Sequence, residues 1–105
     1  MKFSKKSLGQ NFLIDKNIIK KIVNLVKIKN KNIIEIGPGH GALTDEILNR
    51  KPRFVSIIEK DFNLCQNLKL KYSKTKNIEI LNNDILNFDL EKIVKKNTII
   101  FGNLP

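Results

Sequence analysis

The sequence predicts an α/β fold built on a parallel sheet. Three observations carry that expectation. Four short apolar runs alternate with segments of helical periodicity, the runs lack polar alternation, and the first ends in a glycine-rich turn leading into a helix. Strand–helix alternation is the pattern of parallel βαβ units joined by crossovers. Apolar runs without alternation fit strands buried on both faces.

Residues 1–14 show no clear period and read as an arm. Asp15 is a candidate helix cap, because its carboxylate can accept a backbone N–H of the first turn. Ile18, Ile19, Ile22, Val23, Leu25 and Val26 then recur at helical spacing, with Lys20, Lys21 and Lys27 between them, so an amphipathic helix is expected to about Ile28. The first strand is Ile33 to Ile36, followed by Gly37-Pro38-Gly39-His40-Gly41 and a helix over 42–49. Residues 54–58 form the second strand, ending at Glu59, and Asp61 caps a helix bearing Leu64, Leu68 and Tyr72 with Cys65 beside them. The third strand is 78–81, ending near Asp84; a short helical stretch is expected over 90–95, and the fourth strand over 98–101. The expected organisation is a basic arm plus amphipathic helix over 1–31, and over 32–105 the first part of a cofactor-binding domain. The chain stops just after its fourth strand, so it reads as the front of a longer protein with its C-terminal domain absent.

Twenty Lys or Arg against ten Asp or Glu give a net charge of +10. Hydrophobic residues make up 41% of the chain, which excludes a disordered polyelectrolyte. The excess charge lies in residues 1–31, which hold nine Lys and one acid, Asp15. A local basic segment suits a polyphosphate partner. A competing source is an A/T-rich genome, since 18 Lys, 14 Asn and 17 Ile all have A/T-rich codons; that bias explains the total better than the segregation. No apolar run approaches the ~18 residues of a spanning helix, and no apolar h-region follows the N-terminal charges. Cys65 is the single cysteine, so no intrachain disulfide and no cysteine-rich metal site is expected. A cytoplasmic protein fits this pattern.

Ligands of open α/β sheets bind beyond the C-terminal ends of the strands, so the candidate chemistry stands there. After strand one, the glycines permit a tight turn and close backbone approach. After strand two comes Glu59, 22 residues beyond Gly37, at the spacing of an acid that accepts from ribose hydroxyls. After strand three, Asp84 can accept from an adenine amino group with Ile85 packing on the ring, although Asn and Asp are also ordinary turn formers. After strand four, Asn103-Leu104-Pro105 can present a side-chain amide and a rigid carbonyl. A nicotinamide-binding oxidoreductase accounts for the first two features and leaves the last unexplained. A methyltransferase using S-adenosylmethionine accounts for all four.

Ser7-Leu8-Gly9-Gln10-Asn11-Phe12-Leu13, Glu35 to Thr44, Ile58-Glu59-Lys60-Asp61, Asn83-Asp84-Ile85-Leu86 and Asn103-Leu104-Pro105 together resemble the ribosomal RNA adenine N6-dimethyltransferases. The similarity is greatest to the bacterial small-subunit branch. The sister branch, the large-subunit erythromycin-resistance enzymes, shares Gln-Asn-Phe-Leu but typically has Asn-Ile-Pro-Tyr where this chain has Asn-Leu-Pro. The resemblance implies a Rossmann-like S-adenosylmethionine-dependent methyltransferase fold, here with about four strands of its sheet. It implies dimethylation of two adjacent adenosines in the hairpin near the 3′ end of 16S rRNA, on an immature small ribosomal subunit. The expected alternatives are a 23S rRNA dimethyltransferase of the resistance type and a noncatalytic RNA-binding assembly factor.

Residue by residue, the resemblance implies that Asn11 and Leu13 contact the cofactor from the arm, and that Gly37 and Gly39 line its methionine end. Glu59 then binds the ribose, Asp84 and Ile85 the adenine, and Asn103 stands between cofactor and target base. Asn103 and Pro105 are the expected catalytic pair. Lys2, Lys5 and Lys6 are the RNA-binding candidates. Phe3 and Phe12 flank the basic arm, and Tyr72 and the phenylalanines otherwise read as core. His40 reads as a tolerated loop side chain and Cys65 as a packed helix residue. A monomer without metal or membrane association is expected, and the 105 residues alone are not expected to methylate RNA.

Overall fold

The computed structural model describes residues 15–102. Its elements are α1 (Lys16–Asn24), β1 (Asn32–Ile36), α2 (Ala42–Asn49), β2 (Phe54–Glu59), α3 (Phe62–Lys71), β3 (Ile78–Asn82), 3₁₀ turns at Ile85–Asn87 and Leu90–Lys92, and β4 (Thr98–Gly102). The four strands form one parallel sheet in the order β3-β2-β1-β4. Asn32 of β1 is paired with Phe54 of β2 and Thr98 of β4, and Ile36 with Ile58 and Gly102.

Strand polarity divides the core. Ile33 of β1 and Val55 and Ile57 of β2 face α1, α2 and α3 and close a cluster with Ile19, Val23, Leu43, Ile47, Leu68 and Tyr72. Ile34, Ile36 and Ile58 point to the other face, where Ile85, Phe88, Leu90 and Ile93 cover them. Three helices thus pack on one face, while the chain between β3 and β4 crosses the other. β1 and β2 are buried on both faces, as their unbroken apolar character requires. The edge strands are less covered, and Ile100 of β4 is 48% exposed.

Both expected caps are present. Asp15 Oδ1 accepts from Asn17 N at 2.9 Å, and Asp61 Oδ1 accepts from Leu64 N at 3.0 Å. The first helix is shorter than its apolar period suggests. It ends at Asn24, where the Leu25 N–H turns back to the Ile22 carbonyl, and Leu25 is exposed. Ile28 is buried nonetheless, as a loop anchor under the sheet rather than a helical residue. The expected helix over 90–95 is a single 3₁₀ turn, Leu90–Lys92, capped by Asp89. Its apolar residues serve to cover the sheet face, which one turn suffices to do. A second turn, Ile85–Asn87, follows β3 without having been anticipated. Phe62, read as core, is exposed on α3, since it occupies the first helical position and the buried face is carried by Cys65 and Leu68.

Candidate functional site

The strand order sets the location. From β1 the chain moves outward to β2 and β3, then returns to place β4 on the other side of β1. The crevice at the C-terminal ends of β1 and β4 is therefore the topological switch point, where parallel sheets bind ligands. The glycine loop opens directly onto it.

That loop is built from three residues in the left-handed region: Gly37 (φ 69°), Gly39 (φ 60°) and Gly41 (φ 92°). Gly37 N donates to Ile58 O at 3.0 Å, which pins the turn to the end of β2. A Cβ at Gly39 would meet nothing within 4 Å, so the loop faces open space there. A Cβ at Gly41 would lie 2.5 Å from Tyr72 Oη. Gly41 is also the residue before α2, and no side chain caps that helix, so its first-turn amides have no helical acceptor.

Glu35 lies one pleat before the loop, on the helix-facing side of β1. Thr44 of α2 donates its hydroxyl to Glu35 Oε1. Oε2 is buried and has no hydrogen-bond partner among the described residues. Burial pushes this carboxyl from its ordinary 4.5 up to about 7. The Thr44 hydrogen bond works against the shift, and the charges of Asp45 and Glu59 add to it. Glu35 stands within the motif without an expected role. The signal was an acid inside an otherwise apolar strand, where a charge is retained only with a partner.

Glu59 ends β2 and is 7% exposed. Its Oε2 accepts from Asp61 N at 2.9 Å, and its carbonyl accepts from Asn82 Nδ2 and Asn83 N. No described hydrogen bond uses Oε1. A free surface glutamate is thereby excluded: this carboxylate is held in place at the strand end. Asp84 caps the first 3₁₀ turn, Oδ1 accepting from Leu86 N at 3.0 Å. It therefore performs the turn-forming role, and its second oxygen has no described partner. Ile85 packs against the Ile34–Ile36–Ile58 cluster. His40 is exposed. Cys65 is buried, its Sγ donating to the Glu59 carbonyl at 3.2 Å, and burial pushes the thiol up. Asn11, Leu13, Asn103, Pro105, Lys2, Lys5 and Lys6 lie outside the described residues. β4 reaches the level of Ile36 at Gly102, one residue before Asn103.

A clamp behind the loop escaped the sequence. Tyr72, at the end of α3, donates to Asp45 Oδ1 at 2.6 Å and lies 3.1 Å from Gly41 O. Lys71 Nζ donates to Asp45 Oδ2 at 2.9 Å and to His40 O at 3.0 Å. Burial and the neighbouring Asp45 push the Tyr72 hydroxyl up, so it stays protonated and donating.

The family model for ribosomal RNA adenine dimethylase matches residues 1–105. The chain belongs to the ribosomal RNA adenine dimethylase family. It is 47% identical over 102 residues to a ribosomal RNA small subunit methyltransferase A from Pelagibacter ubique, covering 97% of this chain and 38% of that protein. It is 45% identical over 104 residues to the protein of the same name from Mycoplasmopsis synoviae, covering 99% and 39%. This chain thus spans well under half the length of these relatives. Among solved structures, a dimethyladenosine transferase from Plasmodium falciparum superposes with a TM-score of 0.71 at 26% identity, over 85% of this chain and 32% of that one. The 23S rRNA methyltransferase ErmE superposes at 0.64 with 33% identity, over 71% and 31%. The fold is accordingly the Rossmann-like methyltransferase fold expected from the sequence.

Proposed function

We propose that the protein carrying this chain transfers methyl groups from S-adenosylmethionine to the N6 atoms of two adjacent adenosines near the 3′ end of 16S rRNA. Its site of action would be the immature small ribosomal subunit in the cytoplasm. One observation carries the reading: the family model matches all 105 residues of a chain whose glycine loop lies at the switch point between β1 and β4. Relatives named for the small subunit at 42–48% identity favour 16S over 23S rRNA.

The residues present fit the methyl donor. Gly39 leaves the room a side chain would fill. Glu35 Oε2 is a buried acceptor lacking a donor, suited to an ammonium or another N–H group. Glu59, held at the next strand end, suits vicinal hydroxyls through its unused oxygen. Asp84, whose second oxygen has no described partner, is assigned the adenine amino group, and Ile85 the ring face. Asn11 and Leu13 are assigned the arm's contacts. When bound, S-adenosylmethionine supplies a methyl group on an electrophilic sulfonium.

The protein's part is positioning. An adenine amino group is a poor nucleophile because its lone pair is delocalised into the ring. Acceptance of its two N–H bonds by the Asn103 side-chain oxygen and the Pro105 carbonyl favours a tetrahedral nitrogen with its lone pair free. Little general-base strength is then needed, and alignment carries much of the rate. The target base must leave its stack to reach such a pocket. Lys2, Lys5 and Lys6 are assigned the adjacent phosphates.

The test uses the intact protein with labelled methyl donor on unmodified small subunits and on 23S rRNA. Four methyl groups per small subunit are expected, with none on 23S rRNA. Asn103→Ala should abolish transfer while leaving cofactor binding measurable. Transfer to 23S alone would favour the resistance-type reading, and unchanged modification by Asn103→Ala would remove the role given to Asn103. Subunit binding and assembly support without any methyl transfer would favour the noncatalytic factor.

A further inference from the structure

The two ends of the sheet differ in charge. Loops 25–31, 50–53, 73–77 and 93–97 all lie at the N-terminal ends of the strands, and together they hold ten Lys or Arg. None of the ten acids of the chain falls in them. At the opposite end, residues 37–41, 60–61 and 83–89 hold Lys60 against Asp61, Asp84 and Asp89. A lysine-rich composition would scatter lysine over both ends. Of the ten basic groups only Arg50 is in a described ion pair, with Glu46 at 3.3 Å.

This basic end is also knit together. Asn30 N donates to Lys51 O, Arg53 N to Lys31 O, and Asn32 N to Asn97 O, at 2.8–3.1 Å. The side chains of Asn32 and Asn77 donate to Lys96 O and Pro52 O. The three non-glycine residues with positive φ among those described, Asn30, Lys51 and Asn97, all lie here. Between the loops runs a cleft of about 490 Å³ whose lining includes Arg53, Phe54, Lys95 and Lys96. Adjacent strands about 4.8 Å apart set the four loops along a row of about 14 Å.

We propose that this N-terminal end of the sheet is a second RNA-docking surface, gripping the phosphate backbone of a duplex away from the helix that presents the target adenosines. A concave cleft with basic walls and asparagine amides accepts the ridge of phosphates of a duplex; a bilayer presents no ridge. Each lysine or arginine that meets a phosphate releases condensed counterions, so affinity falls steeply with salt. The surface lies at the opposite end of the strands from the glycine loop. It therefore adds affinity and orientation without touching the reacting atoms. The inference rests on the reading that the partner is RNA, and not on which adenosines are methylated.

The test compares the intact protein with a variant carrying Arg53→Glu, Lys76→Glu, Lys95→Glu and Lys96→Glu. A neutralised version with Gln at the same positions covers the case in which the reversal impairs folding. A control removes equal charge from α1 and α3 (Lys16, Lys20, Lys21 and Lys69 to Glu). Binding to unmodified small subunits is measured over a salt series, alongside binding of S-adenosylhomocysteine. The expected result is a loss of about tenfold or more in subunit affinity and a salt dependence shallower by about two to four counterions. Cofactor affinity should hold, and the control should lose markedly less. An unchanged salt slope in the Gln variant, or an equal loss in the control, overturns the proposal. So does loss of binding to anionic vesicles with subunit binding intact. If the parent protein binds subunits but methylates nothing, the proposed reaction fails while this comparison still decides the docking surface.

Discussion

Replacing Glu35 by Gln isolates the cost of the buried acid. In the folded protein its carboxyl titrates near 7, against 4.5 in the open chain. A folded pKa above the unfolded one means that the neutral form is favoured by folding. Below about pH 4.5 both states are protonated and the group exerts no penalty. Between 4.5 and 7 the unfolded chain ionises while the folded one resists, so stability falls as pH rises, and above 7 the full penalty is present. The shift of about 2.5 units corresponds to about 3 kcal/mol, at 1.36 kcal/mol per unit. The Gln carboxamide keeps an oxygen to accept from Thr44 and carries no charge. Urea denaturation of both proteins from pH 5 to pH 8 should show the variant gaining on the parent by up to about 3 kcal/mol across that window. A constant offset, from the unpaired amide hydrogens, leaves this slope intact. A difference flat with pH would refute the burial argument. Saturating S-adenosylhomocysteine should narrow the gap, because an ammonium at Oε2 favours the ionised acid, and the variant should bind that ligand about tenfold or more weakly.

The clamp behind the glycine loop yields further expectations. Tyr72→Phe removes a buried donor from Asp45 and should lower stability by about 1–3 kcal/mol in thermal or urea melts. Gly41→Ala forces a Cβ against Tyr72 Oη at a φ of 92° and should cost more than a typical surface change. Combining it with Tyr72→Phe should cost less than the sum, with a coupling of at least about 0.5 kcal/mol in a double-mutant cycle; strict additivity would mean that the hydroxyl does not meet the Cβ. Asp15→Ala should remove about 1 kcal/mol by loss of the α1 cap, with no effect on cofactor binding measured by titration.

Local rules explain why much of this architecture could be read from the residues. Asp15 and Asp61 cap because a carboxylate within three residues of a free amide needs no tertiary help. The unbroken apolar runs of β1 and β2 demanded cover on both faces, and both faces are covered. Strand-end positions located Gly37, Gly39, Glu59 and Asp84 on one rim, because parallel strands deliver their C-termini to the same side. Long-range features were invisible. Tyr72 reaches Gly41 across 31 residues, and no spacing rule links them. Ile28 carried an apolar period beyond the end of α1, since period reports burial and not hydrogen bonding. The charge contrast between the two ends likewise emerges only once the strand directions assign each loop to an end.

Under the proposed function, that contrast separates two partners of opposite charge. S-adenosylmethionine carries a sulfonium and an ammonium, and RNA carries one negative charge per nucleotide. A uniformly basic surface would draw RNA while repelling the cationic groups of the methyl donor. At the described C-terminal ends of the strands, Glu59, Asp61 and Asp84 outnumber Lys60 and give the rim an acidic bias, which suits the donor and disfavours phosphate. On the proposed reading, RNA attraction comes from groups away from that rim, and the loops at the far end would supply it without placing cations beside the sulfonium. Screening reinforces the division. At physiological ionic strength the Debye length is about 8 Å, shorter than the ~17 Å of a five-residue strand. Charges at one end of the sheet are thus nearly independent of the other, so reversal of the basic end should change RNA affinity and its salt dependence while cofactor affinity stays within about twofold.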